Sequence, residues 1–205
     1  MSYPPELLSW TGEVSSHLPH LTASQARVLA WYSFAVTVVQ SCGMSHAAYF
    51  LACLLGQEEN TVRQRLREVV YESEQKRGQQ RREVDVVLCF APLLKWILMR
   101  WRSEDGVLCL ALDATTLRQT FTVLSISVLV GRCALPIAWT VLPATQAGAW
   151  KPHWQGLLRS VHVPSDFTVL VMADRGLYAK WLFDELVACH WHPLLRINAQ
   201  GWVHV

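Results

Sequence analysis

The sequence predicts a mixed α and β fold, in which an N-terminal helical region is followed by a mixed β-sheet with flanking helices. Helix caps and apolar residues at helical spacing dominate the first part of the chain, whereas continuous apolar runs of strand length begin at residue 107. Hydrophobic residues make up 52% of the 205 residues and only 17% are charged. Such a chain can bury a large core, which excludes a disordered tail.

Two helices are predicted in the first half of the helical region. Thr22 and Gln25 fit a capping box, and the apolar run behind them predicts a largely buried helix to about Val39. Ser45 is typical of an N-cap and Gly56 of a left-handed C-cap, so a second, short helix is expected between them.

A third helix is predicted to start after Asn60, as its cap, and to run to about Gln75. Its packed face holds Val62, Leu66, Val69 and Val70, which leaves three arginines near its start: Arg63, Arg65 and Arg67. Helix, short turn and helix with arginines at its start is the layout of a helix-turn-helix DNA reader. We therefore expect these arginines to contact DNA, with a solvated helix face as the alternative.

Basic residues are concentrated between Arg63 and Arg82, where there are seven basic residues and three acids, although the net charge of the whole chain is only +2. This segment is a candidate phosphate-binding surface. The polar stretch 75–85, interrupted by Gly78, predicts an exposed connection, so we expect a helical DNA-binding domain over 1–85 and a second domain over 86–205. A helix from about Val86 to Trp101 should open the second domain.

Six cysteines are scattered singly, without the paired spacing of a zinc site, and predict buried thiols in a reducing cytoplasm. The N-terminus has neither the basic start nor the apolar segment of a signal peptide. The apolar run 28–39 is shorter than the roughly 20 residues a spanning helix needs. Residues 121–142 have Gly131, Arg132 and Pro136 near their centre and predict a β-hairpin, so no membrane partner is expected.

The second domain is predicted to have the order β-β-β-α-β-α-β. The run "VLCLAL" should be a central strand that ends at Asp113, followed by the hairpin. Then come a helix in "GAWKPHWQGLLRSV", a strand in "FTVLVMA" that ends at Asp174, a helix in "YAKWLFDELVACH" and a last strand in "PLLRIN".

Asp113 and Asp174 are the candidate catalytic residues. If their strands are adjacent and parallel, both side chains emerge at the carboxyl edge of the sheet, where α/β sheets place their ligands. A divalent cation would relieve the repulsion between them, and carboxylate oxygens suit magnesium or manganese. A site with two metals can run phosphodiester chemistry. The alternative is that each aspartate only forms a turn or caps a helix.

The stretches "LALDATTLR", "VLVMADRGLYAKWLFDEL" and "LLRIN" together resemble the RNase H-like catalytic domain of bacterial insertion-sequence transposases of the DDE type, the IS-four-like group. The resemblance runs from about Leu93 to the C-terminus, and the preceding helical region is similar to the family's DNA-binding part. It implies that Asp113 and Asp174, at the ends of the first and fourth strands, are metal-binding acids, with Mg²⁺ or Mn²⁺ as cofactor. It makes Arg175 and Arg196 candidates for positioning DNA or the carboxylates. It also implies double-stranded DNA at transposon inverted-repeat ends as the partner, and a homodimer.

The third acid of that family is a glutamate on a helix after the fifth strand, and these 205 residues contain no match to its pattern. Glu185 lies about two turns into the preceding helix, so we expect it to be an exposed residue beside Asp184 and not a ligand. The expected protein is therefore a C-terminally truncated transposase, inactive alone, unless a frameshift supplies the helix. The alternatives are a non-catalytic DNA-binding remnant that interferes with intact transposase, another RNase H-like nuclease, and, more remotely, a small membrane protein.

Overall fold

The computed structural model describes residues 3–76, 82–101, 105–145 and 150–197. Within these ranges the α-helices are α1 (Pro5–His17), α2 (Ala23–Val39), α3 (Met44–Leu55), α4 (Glu59–Val70), α5 (Val87–Arg100), α6 (Trp150–Ser160) and α7 (Lys180–Ala188). The strands are β1 (Val107–Leu117), β2 (Phe121–Val130), β3 (Cys133–Pro143), β4 (Thr168–Ala173) and β5 (His192–Leu195). A short 3₁₀ helix follows α4 at Ser73–Gln75. The predicted class, mixed α and β with flanking helices, is confirmed.

The chain divides into two compact units, residues 1–89 and 90–205. We call them the helical unit and the sheet unit. The division falls in the first turn of α5, close to the boundary predicted between residues 85 and 86. Part of the predicted connection, residues 77–81, lies outside the described residues.

The helical unit is built on α2, whose start is the predicted capping box. The Thr22 hydroxyl accepts from the Gln25 amide at 3.2 Å, and the Gln25 side chain accepts from the Thr22 amide at 2.9 Å. Behind this cap, the buried side chains of α2, α3 and α4 form one core with Leu7 of α1, including Trp31, Leu51, Val62 and Leu66. This core explains why the helices form, because an isolated helix of their length is marginal in water.

The predicted caps of α3 and α4 were partly wrong. Gly56 does end α3 in the left-handed conformation (φ 61°), as expected. The N-caps, however, are Gly43 and Glu58 instead of Ser45 and Asn60, because backbone carbonyls of these earlier residues already accept helical hydrogen bonds. The third helix also ends at Val70, since Tyr71 has extended backbone angles.

Val70 does not belong to the packed face of α4, because it is 72% exposed. Val62 and Leu66 are buried and Val69 is packed against the core, as predicted. The connection from α3 to α4 is three residues, Gly56 to Glu58, and it contains the left-handed glycine. A short turn that contains glycine is a feature that this helix pair shares with the helix-turn-helix and with other packed helix pairs.

The sheet unit is one five-stranded mixed sheet in the order β3-β2-β1-β4-β5. β1, β2 and β3 pair antiparallel, whereas β4 runs parallel to β1 and β5 runs parallel to β4. The predicted hairpin is confirmed, and its turn holds Gly131 at φ 58°. The predicted helices and the fourth strand also form, while β5 is shorter than predicted.

The first strand is longer than predicted, since it runs through Asp113 to Leu117. Its parallel pairing with β4 stops at Leu112 opposite Ala173, but its antiparallel pairing with β2 continues to Leu117 opposite Phe121. Asp113 is therefore the first residue beyond the parallel pairing and not the end of the strand.

The core of the sheet unit covers one face of β1 and β4. Leu108, Leu110 and Leu112 are buried there, together with Val169 and Val171. Trp154, Leu158, Leu182 and Leu186 of α6 and α7 belong to the same cluster. Burial of this kind stabilises by about 25 cal/mol per Å² of apolar surface, and it fixes which residues of each strand point away from the core.

Among the described residues, no single helix is long and apolar enough to cross a membrane. The helices α2 and α3 reach that length and hydropathy only when taken together, and this pair is bent by 100° at its junction.

Candidate metal site and nucleic-acid interface

The structure places Asp113 and Asp174 directly after a pair of neighbouring residues in the sheet. Leu112 of β1 pairs with Ala173 of β4 in parallel register, and each is followed by an aspartate, Asp113 within β1 and Asp174 directly after the end of β4. Adjacent strands lie about 4.8 Å apart, which places the two backbones within reach of one cation. The first and fourth strands are therefore neighbours, as the pairing of the two acids requires.

Asp113 lies on the face of β1 opposite the core, and Asp174 is the exposed residue directly after β4. Side chains alternate along a strand, and Leu112 and Ala173 are buried at 4% and 8% exposure. Asp113 and Asp174 follow them and are exposed. Two like charges at one level of a sheet repel each other unless a cation lies between them.

Asp174 also forms a turn, which is the alternative role considered for it. Its Oδ1 accepts a hydrogen bond from the Gly176 amide at 2.9 Å, and its carbonyl accepts from the Leu177 amide at 3.2 Å. It is not the cap of α7, because that helix begins at Lys180 with Ala179 as its N-cap. The turn uses one carboxylate oxygen and thereby holds the side chain at the edge of the sheet.

A neighbouring threonine, which was not predicted from the sequence, holds the Asp113 side chain. The Thr115 hydroxyl donates to Asp113 Oδ2 at 2.5 Å. The two residues are two positions apart on β1 and so share a face. On the other side, Ser125 of β2 is directly opposite Asp113. Thr115 could have been predicted from the sequence, because side chains two residues apart on a strand share a face. Ser125 could not, because its position opposite Asp113 depends on the register of the hairpin.

The candidate arginines lie near Asp174. Leu195 of β5 pairs with Ala173, and the Arg196 amide donates to the Ala173 carbonyl at 3.0 Å. Four residues thus lie at corresponding positions in neighbouring strands or directly after them: Ser125, Asp113, Asp174 and Arg196. We call these four residues the site row. Arg175 is exposed in the turn after Asp174. Arg196 is exposed as well.

The described ranges contain no group of three or more His, Cys, Asp or Glu side chains placed to hold a metal ion. The site row supplies two carboxylates, which are hard oxygen ligands suited to magnesium or manganese. A two-carboxylate site leaves coordination to water or substrate phosphates, which is common for magnesium.

Glu185 does not join this site, and the expectation that it would be exposed was wrong. Its side chain is only 17% exposed, and it accepts hydrogen bonds from Gln155 at 2.7 Å and from Arg159 at 3.2 Å. The hydrogen bond from Gln155, helped by Arg159, lowers the pKa of the Glu185 carboxyl. Glu185 thus ties α7 to α6.

The three predicted DNA-contacting arginines do not form one surface on α4. Arg63 is partly buried and forms an ion pair with Glu59. Arg65 is exposed and donates to Gln57 at 2.6 Å, while Arg67 is exposed. Residues two apart on a helix point in nearly opposite directions, about 200° apart, so Arg65 faces away from the other two.

Comparisons with protein-family models, with curated proteins and with solved structures each found no match to this chain.

Proposed function

We propose that this chain is a transposase polypeptide of the DDE type. Its helical unit binds double-stranded DNA at transposon inverted-repeat ends, and its sheet unit carries the fold for metal-dependent phosphodiester cleavage and strand transfer. The observation that carries the proposal is that Asp113 and Asp174 each directly follow one of the paired residues Leu112 and Ala173 on the adjacent parallel strands β1 and β4. We further propose that it acts in the cytoplasm and pairs two DNA ends as a homodimer.

The chemistry of the site row supports a phosphodiester substrate. Asp113 and Asp174 would hold Mg²⁺ or Mn²⁺, which when bound activates an attacking oxygen and stabilises a leaving one. Arg175 and Arg196 are exposed beside them and would bind the phosphates of the substrate. Thr115 holds one oxygen of the Asp113 carboxylate and the Gly176 amide holds one oxygen of Asp174, so both side chains are oriented before DNA arrives.

The helical unit supports DNA binding by its layout and its charge. The three-residue turn between α3 and α4 and the exposed start of α4 fit a helix-turn-helix, whose second helix enters the major groove. Asn60, Gln64 and Arg67 are spaced to share the side of α4 opposite buried Val62 and Leu66. Asn, Gln and Arg are the side chains that most often read base edges there.

A second candidate function follows from the number of carboxylates in the site row. Among the described residues, the site row has two carboxylates, and Glu185 is engaged by Gln155 and Arg159 instead. Two carboxylates without a third would hold metals less well and misplace them. We propose that this polypeptide alone does not cleave or join DNA. It would then act as a non-catalytic DNA-binding protein that interferes with intact transposase.

The test combines binding and cleavage on one DNA. The purified chain should bind a duplex carrying an inverted-repeat end more tightly than an unrelated duplex, and the affinity should fall with salt. It should leave that duplex intact in the presence of Mg²⁺. Nicking that is lost on Asp113→Ala but kept on Asp184→Ala would overturn the proposed inactivity. Absence of DNA binding at low salt would overturn the proposed function.

A further inference from the structure

A concave groove in the helical unit, with a volume of about 1060 Å³, gathers cationic side chains that are far apart in sequence. We call it the basic groove. Its cationic lining residues are Arg27, Arg65, Lys76 and Arg82. Arg27 lies in the second turn of α2 and Arg65 on α4, while the other two belong to the segment after α4. Of the three arginines of α4, Arg65 lines the groove, whereas Arg63 and Arg67 do not.

Hydrogen bonds hold the walls of the basic groove together. The Gln25 side chain donates to the carbonyls of Arg82 and Glu83 at 3.2 and 3.0 Å, and Lys76 Nζ donates to the Arg82 carbonyl at 2.6 Å. Since Gln25 also closes the capping box, the segment around Arg82 is fastened to the start of α2. The Arg65 guanidinium is held by Gln57 at 2.6 Å. The groove is therefore a built surface and not a chance gathering of long side chains.

The charge of the basic groove is strongly unbalanced. Among its described lining residues, Glu68 is the single acid against four cations. Thr22 and Ser24, at the N-terminus of α2, also line it, and this end of a helix carries a partial positive charge. Cations that line one groove repel each other, and a bound anion lowers that cost.

We infer that the basic groove binds backbone phosphates of double-stranded DNA. The inference rests on the proposed function, in which the helical unit binds DNA. Arg, Lys, Ser, Thr and Gln side chains are the groups that contact phosphates, and the groove is larger than a single phosphate requires. Arg65 and Arg67 lie on different sides of α4, so a backbone contact through Arg65 leaves the side with Arg67 free for base edges.

The experiment measures the salt dependence of DNA binding by fluorescence anisotropy, using a labelled duplex of arbitrary sequence and the full chain. The variant is Arg27→Gln with Arg82→Gln, because both side chains are exposed and the hydrogen bonds that fasten the groove wall use the Arg82 carbonyl. The slope of log K against log salt should become shallower by roughly 1.8, at about 0.9 per phosphate contact. The affinity should fall equally for an inverted-repeat end and an unrelated duplex.

The matched control is Arg118→Gln with Arg132→Gln, which removes two exposed charges from the sheet unit. It should leave the slope unchanged. Circular dichroism and thermal melting verify that both variants fold. If wild type binds and the groove variant binds with an unchanged slope, the groove inference fails while the proposed function stands. If wild type binds no DNA, both fail. A groove variant that keeps its DNA slope but loses binding to polyglutamate would assign the groove to an acidic protein instead.

Discussion

The helix α4 and the strand pair of β1 and β4 place neighbouring like charges in opposite ways. In the sheet unit, Asp113 and Asp174 follow paired residues of adjacent strands, so the register forces two carboxylates together. In the helical unit, Arg63 and Arg65 are two residues apart on α4 and point to different sides, one toward Glu59 and the other toward Gln57. A helix disperses neighbouring charges, whereas strand pairing concentrates charges from distant parts of the chain. In both units, like charges from distant parts of the sequence meet only where separate segments pack together, at the site row and in the basic groove.

The largest expected effect tests the register on which the acid pair depends. Leu110→Ala should lower the free energy of unfolding by about 2–5 kcal/mol, because Leu110 is fully buried on the core face of β1. Cys109→Ala should cost much less, since Cys109 is on the other face and only partly buried. Urea denaturation measures both. Equal losses would show that β1 does not alternate as described and that Asp113 is not on the face assigned to it.

The next effect concerns the turn that holds Asp174. A Cβ added at Gly176 would lie 3.2 Å from Asp174 Oδ1, so Gly176→Ala should move the carboxylate and weaken Mn²⁺ binding roughly tenfold. Gly156→Ala is the matched control, because a Cβ there has no heavy atom within 4 Å among the described residues. It should leave Mn²⁺ affinity unchanged and stabilise α6 by about 0.5–1 kcal/mol. Water-proton relaxation measures the Mn²⁺ affinity. Equal affinities for wild type and Gly176→Ala would show that the turn does not position the metal site.

The smallest effect separates two arginines of α4. Arg63→Ala should lower stability by about 0.5 kcal/mol, because it removes the ion pair with Glu59. Arg67→Ala should leave stability within about 0.5 kcal/mol and weaken binding to an inverted-repeat end, since its side chain is exposed. Denaturation and anisotropy on both variants give the comparison. If Arg63→Ala alone abolished binding without loss of stability, the assignment of the two arginines would be reversed.

Much of the sheet unit could be predicted from the sequence because its signals are local and strong. Continuous apolar runs identified β1 and β4, and the residue after each buried run identified Asp113 and Asp174. Ser125 could not be predicted, because its place opposite Asp113 depends on hairpin register. Glu185 was misjudged because its partners, Gln155 and Arg159, belong to another helix.

In the helical unit, the helices could be predicted from the sequence better than the grouping of the charged residues. The capping box at Thr22 and the left-handed Gly56 are local signals, and both were confirmed. The basic groove depends on how α2, α4 and the following segment pack, which no local pattern encodes. The dispersal of Arg63 and Arg65, by contrast, follows from helical geometry alone and could have been deduced from their spacing.

We propose that Asp113 and Asp174 share one cation. The most direct measurement is Mn²⁺ binding, followed by electron paramagnetic resonance, to wild type, Asp113→Asn, Asp174→Asn, the double variant and the control Asp184→Asn, which alters an exposed carboxylate paired with Lys180. Each single change should weaken binding more than tenfold, the double variant should be little worse than either, and the control should match wild type. Wild-type affinity in both single variants, or single losses that multiply in the double variant, would contradict a shared cation.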